Sequence, residues 1–200
     1  MKYVIITPAK NEAQYIVNTL ESVVSQTLKP AEWIIVDDGS TDETVEIVER
    51  FVKDYTFIRL LKSVNYGEER SSGSKVVRAF NRGFTEIVAT DYDFIVKLDA
   101  DLTLPENYFS EISRAFINDN KVGICGGYCV IYKNGMKVRE PHASYHIRGP
   151  IKSYRKKCFD DIGGLKPILG WDGVDELDAI RKGWKTLNLD LEVIHHRPTS

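Results

Sequence analysis

The sequence predicts an α/β protein, a single domain over residues 1–200 with a mainly parallel sheet flanked by helices. Three observations predict it. Short, continuously apolar runs, which suit strands buried on both faces, recur through the first half. Amphipathic segments at helical spacing separate them, as in βαβ units. The polar clusters "TPAKNE", "VDDGSTD" and "LDAD" each fall where such a run ends, the edge at which open α/β sheets bind ligands.

In order, "YVIIT" (3–7) reads as a buried strand, followed by a helix from Glu12 to Ser25 carrying Tyr15, Ile16, Leu20, Val23 and Val24 at helical spacing. "EWIIVDD" (32–38) is a second strand and "TDETVEIVERFVKD" a second helix, with Ser40 and Glu43 fitting a capping box. A third strand, "FIRLL", precedes a helix from Ser74 to Val88, and "DFIVKLD" (93–99) is the fourth strand. The second half is less regular. "YFSEISRAFIND" predicts a helix, "VGICGGYCVIY" one or two strands, and Asn134-Gly135 a hairpin turn. "IKSYRKKCFDDIGG" predicts a short helix closed by glycine, "VDELDAIRKGW" another, and "KTLNLDLEVIHHR" one or two strands.

Composition excludes several classes. A net charge of −2, from 27 basic and 29 acidic residues, lacks the basic excess of a nucleic-acid binder. No apolar run nears the roughly 18 residues of a membrane helix. The start "MKYVIITPAKNE" is too polar for a signal peptide. Cys125, Cys129 and Cys158 form no paired framework, and Cys125-Gly-Gly-Tyr-Cys129 lacks the second pair or nearby histidine of a zinc site. Reduced, mostly buried thiols in a cytoplasmic protein are the expectation.

The chemistry concentrates in carboxylates at strand ends. Asp99 and Asp101, one residue apart, project to the same side of a strand leading into a turn. They would repel each other unless a cation lay between them. Hard carboxylate oxygens suit magnesium or manganese, which is commonly shared with substrate phosphates. Asp37 and Asp38 end another apolar strand, where an acidic side chain can accept hydrogen bonds from a ribose or base. Asp172, Asp175 and Glu176 are spaced to share one helix face. Acids also suit a first helical turn on dipole grounds, but Gly170 and Gly173 around Trp171-Asp172 suggest a loop approaching a ligand. His195 and His196 point to opposite faces if extended, so one of them can face a site. Arg148, Lys152, Arg155, Lys156 and Lys157 read as a solvated basic face, or less commonly as a hold for a phosphorylated acceptor. Trp171 and Trp184 could stack on a sugar, although a tryptophan of this kind is more often partly buried.

The segments "IITPAKNEAQYI", "SVVSQTLKPAEWIIVDDGSTDET", "KVVRAFNRGF" and "VKLDADLTLPENYF", with "GWDGVDELDAIRKGWKT" and "HHRPTS" after them, together resemble a family 2 glycosyltransferase of the GT-A fold. The resemblance covers nearly the whole chain. It implies a Rossmann-like sheet, a nucleoside-diphosphate sugar donor built on uridine or guanosine, a carbohydrate or lipid-linked acceptor, a Mn2+ or Mg2+ ion, and inversion at the anomeric carbon. It assigns residues 1–101 to the donor and 102–200 to the acceptor. Pro8, Ala9 and Glu12 would line the nucleotide pocket, and Asp38 with Asp37 would contact base and ribose. Lys75, or Arg70, would lie near the base or diphosphate. Asp99 would face the ribose or sugar and share the metal with Asp101, its main ligand; His195 or His196 would complete the shell. Asp172 aligns with the catalytic aspartate, with Asp175 as the alternative, although many relatives carry Glu-Asp where this chain has Trp171-Asp172. Trp171 would border the substrate. Relatives often continue past the final residues, so part of the acceptor site is expected outside this chain. A lipid acceptor would place the protein at the inner membrane face.

Rival classes fit less well. Sugar nucleotidyltransferases and Rossmann oxidoreductases both need a glycine-rich turn after the first strand, where this chain reads "TPAKNE". A non-catalytic nucleotide-sugar-binding domain remains the nearest alternative.

Overall fold

The computed structural model describes residues 1–62 and 75–197. The first half alternates strand and helix: β1 (Tyr3–Ala9), α1 (Ile16–Val24), β2 (Glu32–Asp37), α2 (Thr44–Asp54), β3 (Ile58–Lys62), α3 (Lys75–Thr85) and β4 (Phe94–Leu98). The second half adds β5 (Leu102–Thr103), α4 (Tyr108–Asn118), β6 (Val122–Lys133), β7 (Met136–Arg139), β8 (Ile151–Arg155), α5 (Lys156–Ile162), α6 (Trp171–Arg181) and β9 (Lys185–His195). Among the described residues these strands form one sheet, ordered β3-β2-β1-β4-β8-β6-β9-β5, with β7 paired to β6.

The sheet is parallel from β3 to β4, as the apolar runs predict. Beyond β4 it is mixed. β8 pairs antiparallel with both β4 and β6, β6 runs parallel to β9, and β9 is antiparallel to β5. A helix-to-sheet alternation signals parallel pairing, whereas the second half returns through loops whose pairing no periodicity reveals.

Alternation along each strand feeds two cores. Tyr3, Ile5, Trp33 and Ile35 pack with Leu20, Val48, Phe109 and Ile112, so α1, α2 and α4 cover one face. Val4, Ile6, Ile34 and Val36 pack with Phe80, Phe159 and Ala179, placing α3, α5 and α6 on the other. Tyr3 stacks on Phe94 at 4.9 Å between ring centroids, joining the two neighbouring central strands.

Several boundaries differ from expectation. Helix α1 starts at Ile16 because Tyr15 and Ile16 first close a turn onto the Glu12 carbonyl. The Ser40–Glu43 capping box does not form: α2 has no side-chain cap. The Ser40 hydroxyl instead accepts from the Asn11 amide. The "IKSYRKKCFDDIGG" stretch is half strand, half helix, since Lys152 and Tyr154, on β8, find a buried partner in Asp175 of α6 before α5 begins. The Asn134-Gly135 hairpin forms as expected, both residues having positive φ (51° and 75°). No described helix is long and apolar enough to cross a membrane.

Candidate active site

The carboxyl ends of β1, β2 and β4 share one edge because the three strands are parallel. Antiparallel β8 begins at that edge, Ile151 opposite Leu98, so Gly149 and Pro150 arrive there as well. A cleft of about 460 Å³ results, lined by Pro8, Ala9, Lys10, Glu12, Asp38, Lys75, Val76, Ala79, Asp99, Ala100, Asp101, Pro150, His195 and Arg197. Residues far apart in the chain thus supply both carboxylates and cations to one wall.

The two aspartates are not equivalent. Asp99 is held by the ammonium of Lys97, 2.5 Å from its Oδ1, and that ammonium also donates to the Gly149 carbonyl. Lys97 is 2% exposed in the middle of β4. Burial pushes the Asp99 carboxyl up, and Lys97 opposes the rise. Among the described residues no ammonium pairs with Asp101; its neighbour is His195, with Nε2 3.6 Å from Oδ2. The repulsion between neighbouring aspartates is therefore met partly by a lysine two residues upstream. Both side chains line the cleft, Asp99 27% exposed beside its lysine and Asp101 11% exposed beside an imidazole.

Of the two histidines, His195 faces the cleft. Its Nδ1 lies 3.1 Å from Glu140. Burial alone would lower its pKa, but Asp101 and Glu140 outweigh that and hold it above the usual value. His196 turns to the opposite face, hydrogen-bonded to Thr103 and stacked on Tyr15, so the sequence alternative of His196 as a ligand is not supported. An imidazole and two carboxylates are a chemically reasonable donor set for manganese or magnesium.

Helix α6 brings Asp172 beside this edge through a buried anchor. Lys152, fully buried, sits opposite Lys97 across the β4–β8 pair. Like charges there are unfavourable unless each is neutralised. Lys152 pairs with Asp175 and Glu176, both at 2.9 Å, and donates to the Asp172 carbonyl. Asp175 also accepts from the Tyr154 hydroxyl at 2.5 Å, and Glu176 from the Ile147 amide at 2.8 Å. The ring of Trp171 lies over both lysines, 5.2 and 5.6 Å from the two ammonium groups. These contacts correct three expectations. Asp175 is spent in the anchor, Trp171 is buried rather than offered to a sugar, and Lys152 belongs to no solvated face. Asp172 alone of the three acids keeps an open side chain, 35% exposed, with Oδ2 3.8 Å from His146. Gly149 makes room for it: a β-carbon there would lie 3.1 Å from the Asp172 carboxylate. Removing the buried ammonium strands two carboxylates, so Lys152→Met is expected to cost about 3–5 kcal/mol. A thermal melt should fall by roughly 10 °C; an unchanged melting temperature would dismiss the anchor.

The first two loops interlock. Asn11, at φ 55°, donates its amide to Ser40 and accepts the Thr41 amide, while the Glu12 and Ala13 amides reach Thr44 and Asp42. Asp37 is buried and accepts from the Gly39 and Ser40 amides, so it shapes the turn, and Asp38 lines the cleft. Asp37 is thereby corrected from a ligand contact to a support of one.

Glu12 pairs with Arg197 at 2.5 Å. Burial pushes its carboxyl up from 4.5 to about 7, with Asp101 and Asp99 adding to the rise and Arg197 opposing it. Between those values the folded protein binds a proton that the unfolded chain releases, so stability falls as pH rises through that window. The metal-free Glu12→Gln variant should lose part of that slope in thermal melts; slopes equal to wild type would refute the assignment. His195 contributes in the same direction, which is why the comparison is with the variant.

Lys75 lines the cleft, and Arg70 lies outside the described residues. Sequence reasoning missed Lys97, Lys10, Arg197 and Glu140. For Lys97 a signal existed, a lysine inside an apolar strand two residues before an aspartate. For Glu140 none did. All three cysteines are buried and free, and burial pushes Cys125, Cys129 and Cys158 to about 12.

A parallel βαβ half continued by a mixed half, with a carboxylate-lined cleft at their junction, is the architecture of the GT-A class. A family model for glycosyl transferase family 2 matches residues 4–168. The chain belongs to that family. It is 30% identical over 196 residues to the poly-beta-1,6-N-acetyl-D-glucosamine synthase of Staphylococcus epidermidis, covering 92% of this chain and 45% of that protein. It is 33% identical over 124 residues to the uncharacterized glycosyltransferase YibD of Escherichia coli, covering 62% and 33% respectively. The chain thus spans less than half the length of these relatives. Among solved structures, S. aureus TarS 1–349 in complex with UDP-GlcNAc superposes with a TM-score of 0.73 at 20% identity, covering 100% of this chain and 60% of that one. The mannosyltransferase PcManGT from Pyrobaculum calidifontis, in complex with GDP-Man and Mn2+, gives 0.74 at 16% identity, over 99% and 57%.

Proposed function

We propose that this domain transfers a sugar, with inversion, from a uridine or guanosine diphosphate sugar to an acceptor hydroxyl in glycan, polysaccharide or glycolipid synthesis. The observation that carries this reading is the grouping of Asp38, Lys75, Asp99, Asp101 and His195 around one cleft at the sheet edge. Family membership supports it, as do donor nucleotides in the structurally similar proteins. Pro8, Ala9 and Asp38 border the base and ribose, and Lys75, Lys10 and Arg197 supply cations for the diphosphate. Asp99, oriented by Lys97, faces the ribose or sugar. Asp101 is the principal holder of a divalent cation, with His195 beside it and Asp99 within the same loop. Such an ion supplies positive charge against which the nucleoside diphosphate can leave. Asp172 acts as general base, taking the acceptor hydroxyl proton as that oxygen attacks the anomeric carbon from the face opposite the leaving group. Residues 1–101 supply most of the donor contacts, and later residues bring Arg197, the base and the cation-facing histidine. The acceptor is carbohydrate or lipid-linked.

The test is calorimetric titration of uridine and guanosine diphosphates with and without manganese. Manganese-dependent binding of one of them supports the reading and names the base. Binding of neither would overturn it.

A further inference from the structure

Glu140 immediately follows β7 and is 6% exposed. Its Oε2 is shared by His195 Nδ1 at 3.1 Å and Arg148 Nη2 at 3.2 Å, and its backbone amide donates to the Cys129 carbonyl at 2.9 Å. A carboxylate facing an imidazole nitrogen only accepts, so the proton on that side of the ring belongs to Nδ1. The opposite nitrogen, Nε2, then carries the lone pair of the neutral ring, and it is Nε2 that points at Asp101 across 3.6 Å. A lone pair set against a carboxylate is a poor contact for the bare neutral ring and a good one with a proton or a cation between them. We propose that Glu140 is a positioning residue: it fixes the tautomer and orientation of His195 so that Nε2 can join Asp101 in holding a divalent cation. This rests on the reading of Asp101 and His195 given above.

Cys129, Glu140 and His195 also bring ligand atoms within 4.8 Å of one another, all buried. That trio does not read as a second metal centre. A cation there would have to displace the Glu140–His195 hydrogen bond and sit beside the Arg148 guanidinium. Outer partners that hold a ligating imidazole commonly govern metal affinity, and their loss weakens it about 10- to 100-fold.

The test is Glu140→Leu, which removes the acceptor; glutamine would not, because an amide oxygen at the shared position still accepts from both Nδ1–H and Arg148. Manganese affinity is read by electron paramagnetic resonance with excess uridine diphosphate, for wild type, Glu140→Leu, His195→Ala and the double variant. The expected result is weakening of about 10- to 100-fold in Glu140→Leu, with the double variant no weaker than His195→Ala alone. Nitrogen-15 spectra of the metal-free imidazole at alkaline pH should show Nδ1–H in wild type and a mixture of the two tautomers in the variant, which a merely structural role would not produce. If His195→Ala weakens manganese and Glu140→Leu does not, the positioning role is overturned while the cation site stands. If His195→Ala changes nothing, the His195 ligand reading falls and the proposal with it. Should Glu140→Leu fail to fold, a wild-type spectrum showing Nε2–H would still overturn the proposal.

Discussion

Asp101→Ala should abolish manganese-dependent binding of nucleoside diphosphate, weakening it by more than about 100-fold, because changes to outer partners of a metal site already cost 10- to 100-fold. The geometry isolates this residue. Its side chain lies beside His195 and, among the described residues, has no ammonium partner like the one Lys97 gives Asp99. Its backbone carbonyl is already anchored by the His196 amide at 2.9 Å, so the loop has a reason to stay in place when the carboxylate is removed. Calorimetry on the variant, beside a thermal melt to show that it folds, checks the expectation. Unchanged manganese-dependent binding would remove Asp101 from the cation site, and with it the argument that the paired aspartates await a dication.

Asp172→Asn is expected to leave donor binding intact and to lower the turnover of transfer by about 10²- to 10⁴-fold, the usual worth of a positioned general base. Asparagine keeps the shape beside Gly149 and leaves the Lys152 contact to the Asp172 carbonyl undisturbed. The split between retained binding and lost turnover separates a base from a structural acid. Asp175→Asn should behave oppositely, because its carboxylate balances buried Lys152 and accepts from Tyr154. Transfer at the wild-type rate by Asp172→Asn would move the base elsewhere. A wild-type protein that binds nucleotide without transferring sugar would instead favour the non-catalytic alternative.

The parallel half was legible because it is locally encoded. Short continuous apolar runs such as 3–7 and 32–37, separated by segments at helical spacing, mark strands by their length, and the polar residues that follow mark the binding edge. Asp99, Asp101 and Asp38 lie on that edge and were readable from strand direction, whereas Glu12 and Lys75 were placed there by the family resemblance alone. The acidic triplet near α6 was readable in position but not in role. Helical spacing places Asp172, Asp175 and Glu176 together, yet it cannot say which of them meets a buried lysine from another strand. The basic run from Arg148 to Lys157 failed for the same reason. Lys152 looks solvated by charge alone and is fully buried because Asp175 and Glu176 reach it.

By itself, then, the sequence determined the βαβ half, the edge where chemistry gathers and the carboxylates that stand there, because period, strand direction and residue type are properties of local chain. Tertiary structure alone decided which acid is neutralised and which is left open. Lys97 takes Asp99, Lys152 takes Asp175 and Glu176, and Glu140 meets Nδ1 of His195 while Nε2 faces Asp101. The physical reason is that a buried charge must find its counter-charge wherever the fold brings one within reach, and that partner can lie anywhere along the chain.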